Sequence, residues 1–182
     1  RAAVDAGASY LNDVSGGLAD PEMVSFAAET GLPFIAMHWR GHSADMQSRA
    51  VYDDVVVDVA RELADRRDAL LAAGIRADRL VLDPGLGFAK TAEHNWALLR
   101  GIDALTALGH PLLLGTSRKA FLGRVGRATG AERAPKERDT ATAVTSWYAA
   151  QHHVWAVRVH DVVGTVDALD VAEQLLSPEG VP

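Results

Sequence analysis

Short apolar runs alternate along the chain with longer segments of helical periodicity. Between residues 51 and 73, apolar side chains recur at steps of three, four and seven, which predicts an amphipathic helix ended by Gly74. Residues 1–8 have the pattern of the end of a helix, with Gly7 as its cap. Further helices are predicted to start at Asp20 and to cover 91–107, about 139–151 and about 166–176.

The apolar runs predict five strands, within 9–17, 33–38, 80–90, 111–117 and 154–161. Strands that alternate with helices predict βαβ units in a parallel sheet, whose sites lie at the carboxyl ends of the strands. No G-x-G-x-x-G follows a strand, which disfavours a dinucleotide site. Five units cannot close an eight-stranded barrel. We therefore expect either three further units upstream of Arg1 or an open sheet, and we favour the first.

Composition narrows the functional classes. The 182 residues are about one domain's worth of chain, and 48% hydrophobic residues suffice for a sizeable core. A net charge of −6 without a basic run argues against nucleic acid as a partner, and the absence of cysteine excludes disulfides and thiolate metal sites. No apolar stretch is long enough to cross a membrane, so we expect a cytoplasmic protein with no membrane partner.

Polar residues close the predicted strands. Asp83 ends an apolar run, and Pro84 and Gly85 follow at once. A buried strand delivers a carboxylate to a pocket rim in this way, although Asp-Pro also opens ordinary turns. Arg158 and His160, two apart on a predicted strand, share one face and suit an anion such as phosphate. The alternative is that Arg158 pairs with Asp161 or another acid and that the backbone satisfies His160.

Other candidates are weaker when each is taken alone. Ser117, Arg118 and Lys119 follow a strand directly, but basic residues are also ordinary at the start of a solvated loop. His38 and His42 lack a carboxylate at matching spacing, which disfavours a metal held by the protein. No G-x-S-x-G elbow supports a serine nucleophile. Taken together, a carboxylate, an amide and cationic groups predict a pocket for a planar heterocycle at one end and an anion at the other.

Five motifs resemble dihydropteroate synthases in residue type, order and spacing. They are Leu11-Asn12-Asp13-Val14-Ser15-Gly16-Gly17, Met37-His38 with Arg40-Gly41, Leu82-Asp83-Pro84-Gly85-Leu86-Gly87-Phe88-Ala89-Lys90, Ser117-Arg118-Lys119 and Arg158-Val159-His160-Asp161. Trp39 and the residues around His94 and Arg138 resemble the actinobacterial branch. The resemblance covers nearly the whole chain, although the family's N-terminal portion is missing from it.

The resemblance implies a TIM-type (β/α)8 barrel, of which this chain supplies about the last five βα units as one pterin-binding domain, 1–182, that is N-terminally incomplete. The implied enzyme is a transferase of folate biosynthesis that joins 6-hydroxymethyl-7,8-dihydropterin diphosphate to 4-aminobenzoate, releasing 7,8-dihydropteroate and pyrophosphate. Sulfonamides compete for the aminobenzoate site, Mg²⁺ accompanies the diphosphate with no ligand from this chain, and the family is typically a homodimer. Because the family's first strands and two mobile loops are missing, we expect the isolated fragment to lack full activity.

The resemblance also implies roles for individual residues. The catalytic set would be Lys119, Arg158 and His160, of which Arg158 and His160 bind the diphosphate. Ser117 and Lys119 would form the aminobenzoate wall. The implied pterin site comprises Asn12, Val14, Met37, Asp83, Phe88, Gly115, Lys119 and Arg158. Two alternatives stay open: a methyltetrahydrofolate-type pterin-binding methyltransferase domain, and a non-catalytic fragment that binds pterin or contributes only to an oligomer interface.

Overall fold

The computed structural model describes residues 1–42, 46–126 and 131–176. In these ranges, five short parallel strands follow one another in chain order: β1 (Leu11–Asp13), β2 (Phe34–Met37), β3 (Leu80–Asp83), β4 (Leu113–Leu114) and β5 (Ala156–Val157). A single bridge between Leu82 and Leu112 joins β3 to β4, supported by a 2.9 Å hydrogen bond from the Leu82 amide to the Pro111 carbonyl. Strands in sequential order with helices between them form part of a (β/α) barrel.

Seven helices accompany the strands in the described residues: α1 (Ala2–Asp5), α2 (Met23–Thr30), α3 (Val55–Ala72), α4 (Ala92–Arg100), α5 (Ile102–Thr106), α6 (Asp139–Gln151) and α7 (Val162–Leu176). Side-chain caps set the starts of α3 and α4. The Asp54 carboxylate accepts the amides of Val56 and Val57 and so caps α3, and Thr91 caps α4 through the His94 amide. Short 3₁₀ turns occupy Met46–Arg49, Ala77–Arg79, Ala120–Arg124 and Pro135–Arg138.

Several predicted boundaries are wrong. The helix predicted to start at Asp20 begins at Met23, because the Asp20 carboxylate holds a preceding turn through the Glu22 amide. The segment 91–107 divides into α4 and α5 at Gly101. The fifth strand ends at Val157, before Arg158 and His160, and α7 starts at Val162 rather than near 166. The Gly- and charge-rich sequence of 124–138 predicts a loop, but residues 135–138 form a 3₁₀ turn, and residues 127–130 lie outside the described part.

The core lies between the sheet and the helices α3 to α6. Alternate strand residues point toward these helices and are almost fully buried: Phe34, Leu80, Leu82, Leu112 and Leu114. Ile35, Val81 and Leu113 form a separate small cluster with Ala156. Because successive strand residues face opposite sides, this second cluster marks the inner face of the sheet.

No helix in residues 1–42, 46–126 or 131–176 combines the length and the apolar character needed to cross a membrane.

Candidate functional site

Strand register brings the predicted site residues onto the inner face. Asn12 is level with Ile35 of the inner cluster. Met37 and Asp83 are level with each other, and each lies two residues after a member of that cluster, Ile35 or Val81. Leu113 is level with Ala156, so Gly115 and Arg158 follow at the carboxyl ends of the last two strands. The backbone bond from the Arg158 amide to the Leu114 carbonyl, 2.9 Å, extends that pairing by one residue. One sheet edge therefore carries all of these residues.

Arg158 joins three strands at this edge. Its Nη2 donates to Asp83 Oδ2 at 2.9 Å, and its Nη1 donates to Asn12 Oδ1 at 3.1 Å. Asp83 is only 1% exposed, and its other oxygen accepts the Gly85 amide at 2.8 Å. The acidic partner of Arg158 is thus Asp83 rather than Asp161. The Arg158 guanidinium therefore donates to the carboxylate and the amide that the sequence suggested as partners of a heterocycle.

Ser117 and His160 form a second contact. The Ser117 hydroxyl oxygen lies 2.8 Å from His160 Nδ1 and accepts the His160 amide at 3.0 Å. We assign the hydroxyl as acceptor of the amide and as donor to Nδ1, and in this assignment the ring proton of His160 is on Nε2. Both exposed groups near the end of β5, Arg158 and His160, are therefore oriented by partners on other strands or loops.

Lys119 lies across the loop that follows β3. Its Nζ donates to the Leu86 carbonyl and lies 4.5 Å from the centre of the Phe88 ring. Gly87 allows this approach, since a Cβ there would lie 2.8 Å from Lys119 Cδ. Burial lowers the pKa of Lys119 to about 8, Asp83 opposes this and Arg158 adds to it. Lys119 therefore remains mostly an ammonium at neutral pH.

Most predicted site residues border one cavity of about 280 Å³. Its lining consists of Phe88, Gly115, Ser117, Lys119, Arg158, Val159 and His160. Lys119 also borders a second cavity of about 330 Å³ with Gly87, Lys90 and Ala120. Asn12 and Asp83 connect to the first cavity through Arg158. Val14 and Met37 border other cavities, so the structure does not bring them to this one.

Sequence reasoning missed a buried polar network beside the site. Lys90 Nζ lies 3.0 Å from His38 Nδ1, and His38 Nε2 lies 2.9 Å from Glu62 Oε2. Arg40 donates to the same carboxylate through Nε at 3.0 Å, and its guanidinium lies 3.8 Å from the centre of the Tyr52 ring. The sequence could not show the contact between His38 and Glu62, which are 24 positions apart. The one signal for this network was the apolar run before Lys90, which suggests that the Lys90 side chain is buried.

Burial and hydrogen bonding set the charges in this network. Burial lowers the pKa of His38 to about 4, outweighing its bond to Glu62. Burial raises the pKa of Glu62, but bonds from His38 and Arg40 outweigh it and bring the value down to about 2. At neutral pH, His38 is thus a neutral ring between a carboxylate and the Lys90 amine.

A resident metal ion does not fit the described residues. No group of three His, Cys, Asp or Glu side chains that could hold one occurs within 1–42, 46–126 and 131–176. Both oxygens of Asp83 already accept hydrogen bonds, and the two ring nitrogens of His38 are already engaged by Glu62 and Lys90.

The sequence of this chain is similar to those of known dihydropteroate synthases. A dihydropteroate synthase of Mycobacterium leprae is 54% identical over 173 residues, 94% of this chain and 61% of that protein. One of Streptococcus pyogenes is 44% identical over 176 residues, 97% of this chain and 62% of that protein. The chain thus spans about three fifths of the length of these curated relatives.

Solved structures agree with the sequence relatives. Dihydropteroate synthase from Xanthomonas albilineans in complex with 7,8-dihydropteroate aligns at a TM-score of 0.86 and 38% identity, over all of this chain and 63% of that one. The Thermus thermophilus enzyme in complex with 6HMPPP aligns at 0.88 and 40%, over 96% of this chain and 67% of that one. The expected partial TIM-type barrel is confirmed. The pterin binding enzyme family matches residues 1–160, and the chain belongs to that family.

Proposed function

We propose that this chain carries most of the substrate site of a dihydropteroate synthase, which condenses 6-hydroxymethyl-7,8-dihydropterin diphosphate with 4-aminobenzoate. The observation that carries this proposal is the buried Asp83 carboxylate, followed outward by Arg158, Lys119 and His160 along one sheet edge. This order suits a substrate with a planar amino-pyrimidinone ring at one end and a diphosphate at the other.

The pterin ring binds at Asp83 and Asn12. A 2-amino-pyrimidinone presents two parallel N–H donors, which match a carboxylate that is fixed by the Gly85 amide. The guanidinium of Arg158 has the same planar N–C–N arrangement of donors, so it holds the place of the ring in the absence of substrate. When the pterin binds, Arg158 gives up Asp83 and stacks on the ring, with Phe88 and Gly115 shaping the slot on the side of the 280 Å³ cavity. Met37, which is level with Asp83, and Val14 border other cavities in the substrate-free protein, and we propose that they complete the slot at the ends of β1 and β2.

The diphosphate binds beyond the ring. Arg158, released from Asp83, and the Nε2–H of His160 donate to its oxygens. The Ser117 hydroxyl keeps the His160 ring in the tautomer that presents this donor. Lys119 reaches the pterin from the opposite side of the loop, and with Ser117 it forms the wall against which 4-aminobenzoate lies.

The reaction needs no protein nucleophile. The bond between the pterin side-chain carbon and the diphosphate oxygen breaks, and its electron pair leaves with the diphosphate. The electron-rich ring stabilises the cation that remains, and the aniline nitrogen forms the new C–N bond and then loses a proton. The protein contributes by orienting both substrates and by stabilising the departing charge through Arg158 and His160.

Related complexes support the choice of ligands. A Xanthomonas albilineans dihydropteroate synthase has been solved with 4-aminobenzoic acid, and the Yersinia pestis enzyme with a sulfonamide drug. We propose that 4-aminobenzoate and sulfonamides compete here in the same way. Mg²⁺ would arrive with the diphosphate, since phosphate oxygens and water satisfy it. We assign no step to the ion.

The remaining features concern the whole protein. We propose that 1–182 forms one pterin-binding domain and that the protein works in the cytoplasm, where a membrane-impermeant diphosphate substrate is made and used.

We also propose a homodimer. An apolar groove of about 510 Å³ runs between α6 and α7, lined in part by Val144, Val171 and Leu175.

A calorimetric titration with a pterin ligand tests the proposal, run on the chain and on Asp83→Ala after melting curves confirm that both fold. We expect binding by the first protein and a loss of about 2–5 kcal/mol in the second, because the variant leaves the ring N–H groups without an acceptor in a buried site. A folded protein that binds no pterin, or binding that Asp83→Ala leaves unchanged, would contradict it. Pyrophosphate release by the full-length protein is the next assay.

The methyltransferase alternative makes a different prediction. A methyl transfer has no diphosphate to hold, so pyrophosphate would not compete for its site. The Arg158 and His160 pair beside the cavity favours the synthase. We expect pyrophosphate to weaken the binding of a pterin diphosphate, and the absence of competition would favour the methyltransferase.

A further inference from the structure

The loop between Asp83 and Lys90 is conformationally unusual. Gly85, Gly87 and Ala89 have φ values of +65°, +78° and +48°, all in the left-handed region. Glycine tolerates that region, whereas an alanine there carries a steric cost that the surroundings must offset. The same loop carries Phe88 and supports Lys119 of the proposed site. Its shape must therefore be held by contacts from outside.

Besides Asp83 and Lys119 of the proposed site, three further side chains bond the backbone of this loop. Lys90 Nζ donates to the Phe88 carbonyl at 3.1 Å, and the Tyr52 hydroxyl donates to the Ala89 carbonyl at 3.0 Å. Asn95 accepts the Gly87 amide at 2.7 Å. Lys90 is only 4% exposed, so its ammonium must find its partners inside the protein.

The contacts of Lys90 and Tyr52 form a closed ring. From Lys90 the ring passes to His38, then to Glu62 on α3, then to Arg40, whose guanidinium lies on the Tyr52 ring. The Tyr52 hydroxyl returns to the loop at Ala89. Each member has partners on both sides, which favours one arrangement of the loop.

We infer that Lys90 is a positioning residue of the pterin site, which fixes Phe88 and, through the Phe88 ring and Gly87, the ammonium of Lys119. The inference rests on the proposed function and extends it to a residue without a substrate contact. Lys119 lies 4.5 Å from the Phe88 ring and would meet a Cβ at Gly87, so a shift of the loop moves Lys119. Lys90 thereby acts on the substrate only through its neighbours.

The charge of Lys90 changes near neutral pH. Burial lowers its pKa to about 7; Asp83 on β3 and Glu62 on α3 oppose this, while Lys119 and Arg40 add to it. His38 is neutral there, and the Tyr52 ring centre lies 6.0 Å away. An ammonium donates more strongly than an amine to the Phe88 carbonyl. The loop is therefore held more tightly on the acid side of neutrality.

Two readouts test the inference in the full-length protein, one without ligand and one with a pterin. The variants are Lys90→Met, which keeps the stem and removes the amine, and Lys136→Met, which removes an exposed lysine as the control. Without ligand, we expect the amide NMR signals of Gly87 and Phe88 to titrate near pH 7 in the natural protein and in Lys136→Met. We expect the step near pH 7 to vanish in Lys90→Met, while a step near pH 8 from Lys119, which also lies against Gly87 and Phe88, remains. Calorimetry should show roughly tenfold weaker pterin binding in Lys90→Met alone.

Each outcome has one meaning. Unchanged amide titration and pterin affinity in Lys90→Met would overturn the inference. If Lys90→Met does not fold, Glu62→Gln replaces it, and it should move the amide titration to lower pH because it removes an anion that favours the Lys90 ammonium. An unmoved titration would then overturn the inference. Natural protein whose amides titrate as expected but which binds no pterin would contradict the proposed function and leave the positioning contact standing.

Discussion

Arg158 is the residue whose role depends most on the state of the protein. Without substrate it donates to Asp83 and Asn12, the groups proposed for the pterin ring. Ring binding and release of Arg158 toward the diphosphate are then two parts of one exchange. The guanidinium competes with a bare ring but assists a ring that carries a diphosphate.

Replacing Arg158 by Met separates these two effects. We expect Arg158→Met to bind a pterin without phosphate at least as tightly as the natural protein, because the competitor is gone and an apolar stem still lies on the ring. Binding of the pterin diphosphate should weaken by about tenfold, the loss of one charge-assisted hydrogen bond. Calorimetry with the two ligands measures both values. The control is Arg79→Met, which removes an exposed cation that pairs with Asp78. Equal weakening of both ligands in Arg158→Met would contradict the exchange.

Gly87 offers a test of how Lys119 is placed. Its φ is +78°, and a Cβ would lie 2.8 Å from Lys119 Cδ, whereas Gly109 has φ +79° and open space around that position. Alanine at either site should cost about 1–2 kcal/mol of folding stability from the left-handed backbone. Only Gly87→Ala should also weaken pterin binding, because it pushes Lys119 aside. Urea unfolding and calorimetry on both variants check this, and equal affinities would show that Lys119 is not held by this contact.

Single residues at strand ends were predictable, but their supporting residues were not. Asp83 and His160 follow apolar runs in the sequence, and their placement at one edge follows from parallel strands. Glu62 lies within α3 among charged neighbours that look like an ordinary solvated face. Its contact with His38 depends on how α3 packs on β2, which only the three-dimensional structure shows.

At the scale of elements, the buried network ties β2, α3 and the loop after β3 together and makes stability depend on pH. The pKa of Lys90 falls from 10.5 to about 7, that of His38 from 6.5 to about 4 and that of Glu62 from 4.5 to about 2. Each pair of values bounds a pH window in which the unfolded chain holds a proton that the folded protein lacks. The free energy of unfolding therefore rises with pH across all three windows and falls on acidification.

Lys90→Met should remove one of these windows. We expect the natural protein to gain stability between pH 7 and pH 9.5, and Lys90→Met to show a flatter profile there, since Met binds no proton in either state. Below pH 6.5 the two profiles should run parallel, because His38 and Glu62 remain. Urea unfolding across this range measures both. Parallel profiles above pH 7 would mean that the Lys90 ammonium is not destabilised by burial.

Some element boundaries were predictable from the sequence pattern, and others were not. The helix predicted at about 139–151 is observed as Asp139–Gln151. The segment 91–107 breaks instead at Gly101, where a Cβ would lie 2.8 Å from Val56 Cγ1, so packing against α3 decides the break. The predicted fourth and fifth strands are longer than β4 and β5, because their apolar patterns continue beyond the residues that pair.

At the scale of the molecule, the sequence predicted a parallel barrel segment because the strand–helix alternation allows few other folds. It did not predict the apolar surface on the outer helices. Val144 on α6 and Val171 on α7 are 56% and 59% exposed, and both border the groove between these helices. A surface of this kind is typical of a site covered by another protein chain.

The proposed homodimer places a second copy on that groove. A charge at its centre would have to be buried unpaired when two copies meet, so Val171→Asp should produce monomers at concentrations where the natural protein is dimeric. Val57→Asp is the matched control, because Val57 is also a largely exposed valine, 61%, but lies on α3. Sedimentation equilibrium of the three full-length proteins over a range of concentrations gives their masses. A dimeric Val171→Asp, or a Val57→Asp that dissociates equally, would place the interface elsewhere, and a monomeric natural protein would exclude the dimer.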